Sequence, residues 1–169
     1  MKPRNLSRQR PHRLQLRPIA LSLVCAGLAP AMAQVLPTGF LPIAGGVTMT
    51  QGTGVMNINQ PLQRGIVNWG TFSIGSGGVV NIAQPSRSAV LLNRVVGDGG
   101  TILASRIDGM LRTHLPGNVN LPGGSVFLIN PSGIVFGNGA SVNVGGLVAS
   151  TLDIANSNFM PNGLENTPF

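Results

Sequence analysis

Tyrosine is missing from the 169 residues, cysteine occurs once, acidic residues occur four times, and only 9% of positions are charged. Each shortage closes a class of function. The single cysteine, Cys25, lies near the N-terminus, so beyond it no disulfide can brace the chain and no thiolate metal site can form. The formal charge of +7 ordinarily points to nucleic acid or an anionic membrane, but its placement argues otherwise. Lys2, Arg4, Arg8, Arg10, Arg13 and Arg17 crowd the first seventeen residues. After Ala33 only Arg64, Arg87, Arg94, Arg106 and Arg112 stand against Asp98, Asp108, Asp153 and Glu165. A near-neutral stretch with no lysine, no tyrosine and few aromatic platforms has nothing to track a phosphate backbone, which argues against nucleic-acid binding.

The basic N-terminus is followed by an apolar run from Ile19 to Ala29, then Pro30 and the small-residue triplet Ala31-Met32-Ala33. A positive region, an apolar core and an A-x-A ending form a secretory signal, with signal peptidase expected to cut between Ala33 and Gln34 after export by the Sec machinery. The run is too short for the roughly 20 residues a membrane-spanning helix needs. Cys25 follows Val24, which is not the small residue that lipid attachment requires, and it reads as one more hydrophobe of the signal core. The expected division is a signal at residues 1–33 with an extended basic region, a domain at 34–155, and a connector or the start of a passenger at 156–169.

After Gln34 no stretch of ten or more residues repeats apolar positions at helical spacing. Short β-prone runs recur instead, each closed by Gly, Asn, Pro or Asp. The expected strands are Val47–Thr50, Val55–Ile58, Ile66–Trp69, Phe72–Ile74, Val79–Ile82, Val90–Asn93, Val126–Ile129, Ile134–Phe136, Ser141–Val144 and Leu147–Thr151. Such strands suit either a β-sandwich of hairpins or a parallel β-helix, whose coils stack in ladders. Asn59, Asn81, Asn130 and Asn143 at strand ends favour ladders, and so does the scarcity of charge, because like charges in adjacent rungs repel. The segment from Arg112 to Gly123, with two prolines and several turn residues, is expected to be a loop extruded from the β body.

No catalytic constellation gathers in this pattern. His12 lies in the signal, and His114 stands in a Pro/Gly context with no cysteine to activate. Asp98 and Asp108 each have an arginine within four positions, which reads as surface pairing rather than as a hydrolase pair. Gly97-Asp-Gly-Gly100 lacks the strand and helix of a dinucleotide site and reads as a turn. The expectation is no enzyme, no cofactor and no metal.

The most distinctive run is Val126-Phe-Leu-Ile-Asn-Pro-Ser-Gly-Ile-Val-Phe-Gly137. Asn130, Pro131, Ser132 and Gly133 suit a type I turn between two strands, with Asn capping, Pro presetting φ and Gly leaving freely. Those residues and Ile134 also resemble the signature of the two-partner secretion domain, the N-terminal domain of filamentous-haemagglutinin-like and high-molecular-weight-adhesin-like exoproteins. Three further stretches are similar to that family in the same order: Ile66-Val-Asn-Trp-Gly-Thr-Phe-Ser-Ile74; Val79-Val-Asn-Ile-Ala-Gln-Pro85 leading to Ala89-Val-Leu-Leu-Asn-Arg-Val95; and Val144-Gly-Gly-Leu-Val-Ala-Ser-Thr-Leu-Asp-Ile154. An Asn-Pro-Asn-Leu motif found upstream in some members is missing, which places the chain nearer the high-molecular-weight-adhesin branch. The loop from Arg112 to Gly123 is longer than in the shortest members.

The resemblance implies a right-handed parallel β-helix with an N-terminal cap and extra-helical strands. It implies secretion to the medium or cell surface of a Gram-negative bacterium by way of the periplasm. The implied partner is an outer-membrane TpsB transporter whose POTRA domains bind the domain before it has folded. Asn130, Pro131, Ser132, Gly133 and Ile134 carry over as the motif, with Asn93 and Arg94 second. Whether they touch the transporter or shape the β-helix stays open at this point, with the structural role favoured. Exoproteins of this family run far longer, so an N-terminal piece or a truncated product is expected, its host-cell or neighbouring-cell target residing in the missing passenger. A binding module in its own right and, behind it, a glycan-active β-helix enzyme are the other readings.

Overall fold

The computed structural model describes residues 35–160, so the signal at 1–33 and the expected junction between Ala33 and Gln34 lie outside the described residues. Twelve strands occur among the described residues: β1 (Leu41–Ala44), β2 (Thr48–Gly52), β3 (Val55–Asn59), β4 (Arg64–Trp69), β5 (Val79–Ala83), β6 (Val90–Val95), β7 (Ser105–Ile107), β8 (Met110–His114), β9 (Ser125–Ile129), β10 (Ile134–Phe136), β11 (Ser141–Asn143) and β12 (Gly146–Ser150). One short helix, α1 (Asn156–Phe159), follows them.

Their pairing is that of a parallel β-helix. Strands β3, β5, β8 and β11 pair in parallel on one face, and β4, β6, β9 and β12 on a second. The third face is the parallel pair β7–β10, preceded by a single parallel bridge from Ile74 to Ile107. Successive coils keep register: Val55 stands beside Val79, Val79 beside Met110, and Met110 beside Ser141. A sandwich of hairpins is thereby ruled out. The two antiparallel pairings, β1 on β4 and β2 on β3, lie at the first coil and cap it.

The alternation in sequence explains the faces. Met56, Val80 and Leu111 stack into the interior on one wall, and Leu91, Val126 and Leu128 on another. Phe40, Trp69 and Phe72 plug the capped end, with edge-to-face rings 5.3 and 5.4 Å apart. At one corner the backbones approach so closely that a Cβ on Gly109 would sit 2.4 Å from the carbonyl oxygens of both Gly75 and Gly78. Of the four asparagines expected to form ladders only Asn81 bonds amide to amide, to Asn57 at 2.8 Å; Asn59 stands beside Ala83, Asn143 beside Arg112, and the Asn130 amide turns to Leu103 and Ser105. A second, buried amide-to-amide bond joins Gln84 to Gln60 at 2.9 Å.

Three expectations are corrected. Phe72–Ile74 makes only the bridge at Ile74. Ser105–Ile107 and Leu41–Ala44 are strands that the sequence pattern had not suggested. Arg112, Thr113 and His114 belong to β8, so the extruded loop begins at Leu115. In β8 Leu111 and Thr113 point inward and Arg112 and His114 are half-exposed at the outward positions of an ordinary β alternation.

Candidate functional site

The run from Asn130 to Ile134 forms a corner of the solenoid rather than a hairpin, because β9 and β10 lie in different sheets. The Gly133 amide donates to the Asn130 carbonyl at 3.0 Å, and Gly133 sits at φ 101°, a conformation that suits glycine. Asn130 is fully buried and uses every polar group it has. Its backbone N–H donates to the Ser150 carbonyl in the coil ahead at 3.0 Å. Its side-chain amide donates to the Leu103 carbonyl and the Ser105 hydroxyl in the coil behind, both at 2.9 Å. Its Oδ1 accepts the Ser132 amide at 2.9 Å, closing an Asx turn. Ser132 then donates its hydroxyl to the Ile102 carbonyl at 2.7 Å, and the Ser105 amide donates to the Gly133 carbonyl at 2.9 Å. Pro131 and Ser132 are exposed, whereas Ile134 is half-buried against the main core.

Asn93 and Arg94 are neighbours on β6 and therefore face opposite sides of the sheet. Asn93, fully buried, accepts the indole N–H of Trp69 at 3.0 Å inside the solenoid. Arg94 points outward and gathers the chain end. Its guanidinium donates to Asp153 Oδ1 at 2.7 Å, the Ile154 carbonyl at 2.7 Å, Asn156 Oδ1 at 3.1 Å and Asn68 Oδ1 at 3.3 Å. The strap from Asp153 to Met160 thus lies on the outer face of the β4-containing sheet. There Phe159 and Met160 close a second apolar cluster with Ala44, Ile66, Leu92 and Ile129. Arg64 donates to the Phe159 carbonyl at 2.8 Å, and its guanidinium carbon lies 5.4 Å from the centre of the Phe159 ring.

The seven residues singled out in the sequence therefore do not form one patch. Asn130 and Asn93 are interior staples of different corners and walls, Arg94 is an exterior clamp, and only Pro131 and Ser132 present side chains to solvent. The partners that complete these units are Ser105, Trp69 and Asp153, with Arg64 and Phe159 holding the strap. Asp153 and Trp69 lie in stretches that resemble the family, but their contacts with Arg94 and Asn93 join positions distant in sequence. Gly97–Gly100 is the expected turn, with Asp98 and Thr101 exchanging backbone hydrogen bonds at 3.2 Å, and Asp108 is bound by Arg106 at 2.6 Å. Among the described residues no group of three or more His, Asp or Glu side chains gathers as a metal site.

A capped parallel β-helix with this Asn-Pro-Ser-Gly corner defines a secretion domain of the two-partner type. Residues 33–167 match the TPS secretion domain family, and the chain belongs to that family. It is 32% identical over 144 residues to a heme/hemopexin-binding protein of Haemophilus influenzae, covering 85% of this chain and 14% of that protein. It is 30% identical over 155 residues to the heme/hemopexin-binding protein of H. influenzae strain Rd, covering 92% of this chain and 16% of the relative. Among solved structures it is similar to the HMW1 secretion domain of H. influenzae, with a TM-score of 0.63 and 31% identity over 74% of this chain and 30% of that one. The chain thus spans about a seventh of the length of the curated relatives it matches.

Proposed function

We propose that this domain is the export address of a larger exoprotein, recognised in the periplasm by the POTRA domains of an outer-membrane TpsB transporter before it folds. The burial of Asn130 carries this reading. In the finished corner every polar group of that side chain is bonded within the protein, so little of the motif is left for a partner to recognise. In the unfolded chain the same run is an extended segment, able to add a strand to an exposed sheet edge through its backbone. The scarcity of charge and the absence of cysteine after Cys25 support a chain held unfolded in the periplasm. Each coil needs only its predecessor as a template, so folding at the cell surface proceeds coil upon coil as the chain emerges. The signal at residues 1–33 serves the first crossing through the Sec machinery, and the product is secreted or displayed on the cell surface. Adhesion, or the heme and hemopexin binding for which the Haemophilus relatives are named, belongs to the passenger behind the domain. The test is binding of the purified periplasmic domains of the cognate transporter to this chain. Chain freshly diluted from urea is expected to bind, and refolded chain at least about tenfold more weakly, a gap near 1.4 kcal/mol. Equal binding of the two forms would overturn the order of recognition and folding.

A further inference from the structure

The outer face of the sheet β2-β3-β5-β8-β11 carries a row of polar side chains in register across all five strands: Thr50, Asn57, Asn81, Arg112 and Asn143. At strand spacings of about 4.8 Å this row runs for about 19 Å. Beside it lies a second row, Thr48, Asn59, Ala83 and His114. Apart from Asn143, both rows border a groove of about 300 Å³, walled at one side by Val119 from the extruded loop.

The hydrogen bonds inside this face have a direction. Arg112 Nε donates to Asn81 Oδ1, and Asn81 Nδ2 donates to Asn57 Oδ1. Asn57 therefore spends its oxygen and keeps an NH2 group, while Arg112 spends one N–H and keeps the outer pair of its fork. Both ends of the chain of bonds are donors. Arg112 is half-buried and has no acidic partner among the described residues, and no carboxylate lines the groove. A partly desolvated cation without a counter-ion favours an anion, and the planar fork suits a carboxylate held by two bonds. His114 Nδ1 lies 3.0 Å from the Leu115 carbonyl, which can only accept, so Nδ1 carries a proton there and Nε2 is left to bond a ligand. Donors for an acid group next to a ring nitrogen that can pair with a hydroxyl describe a hydroxylated acid, and the length of the row describes a polymer of such units.

We infer that this face is a binding site for an acidic, uronate-type saccharide, held by Arg112 at its carboxylate, by His114 at a hydroxyl and by the Asn57 amide at a further oxygen along the row. The site binds without turnover, since no acid or base is paired in it. The test is titration of the purified chain with oligoglucuronate, a neutral cello-oligosaccharide and dextran sulfate. Oligoglucuronate is expected to bind and to weaken with salt. Arg112→Gln is expected to weaken it by about tenfold or more, as loss of a charge-assisted bond implies, with an unchanged melting temperature. Asn57→Asp keeps an oxygen for Asn81 and sets a negative charge along the path of the polyanion, so it is expected to weaken binding by about tenfold or more and serves should Arg112→Gln fail to fold. Equal binding of the neutral oligosaccharide, binding of dextran sulfate but not oligoglucuronate, unchanged affinity in both variants, or no binding at millimolar ligand would each overturn the assignment.

Discussion

Arg94 Nε meets Asp153 Oδ1 at 2.7 Å, joining the end of strand β6 to a chain segment 59 positions later. The same guanidinium holds Ile154 and Asn156, so one side chain fastens the strap that covers the second apolar cluster. The Arg94 side chain is 12% exposed and Asp153 59%, so most of the holding comes from the several charge-assisted bonds of Arg94 rather than from the single ion pair.

Arg94→Ala is expected to release the strap and leave the solenoid standing. Losing these bonds is worth about 1.5–3 kcal/mol, which corresponds to amide exchange faster by about tenfold or more between Asp153 and Met160. Arg94→Lys keeps the charge but cannot reach several acceptors with a planar fork, so it should fall between the two. Hydrogen exchange read segment by segment checks this. Equal loss of protection in β5 and β8 would mean that strap and solenoid open as one unit.

The extent to which such units were legible in the sequence differs with their range. Val55-Met-Asn-Ile-Asn59 and Ser141-Val-Asn-Val144 announce strands because alternation is local, and the turn at Asn130–Gly133 announces itself through its own residue types. Ser105-Arg-Ile107 and Met110-Leu-Arg-Thr-His114 did not, since Arg106 and Arg112 stand at outward positions and the two short runs are parted only by Asp108-Gly109. The resemblance to a secretion domain supplied the architecture that pattern alone left open between sandwich and helix. The stretches that resemble the family include both Asn93-Arg94 and Asp153, but their contact exists only once the sheet has folded. Phe159 sits in a polar, Asn- and Pro-rich stretch, and nothing local shows that its ring packs 5.8 Å from that of Phe127.

Trp69 and Asn93 make a second testable pair. Their bond lies within the apolar interior, so Asn93→Ala leaves the indole N–H buried without an acceptor and is expected to cost about 1–3 kcal/mol. Trp69→Phe removes the donor, and introducing Asn93→Ala in that background should cost markedly less. Urea unfolding of the four proteins in a double-mutant cycle measures the coupling. Additive losses would show that the bond contributes nothing beyond packing of the ring against Phe40 and Phe72.

Asn130 brings the question of motif and structure to one residue. Asn130→Ala strands the Ser132 amide, the Leu103 carbonyl and the Ser105 hydroxyl, and is expected to lower stability by about 2–3 kcal/mol. Asn130→Asp retains an acceptor for Ser132 but turns a carboxylate toward the Leu103 carbonyl, so it should be no better than alanine. Ser105→Ala removes one acceptor of the same amide and should cost about 1 kcal/mol, less than additively with Asn130→Ala. Export into the medium with the cognate transporter separates the two roles of the motif. An Asn130→Ala chain that melts earlier and is exported less, while its unfolded form still binds the transporter, places the motif in folding. An Asn130→Ala chain that melts like the wild type and yet is not exported would instead make Asn130 a contact read by the partner.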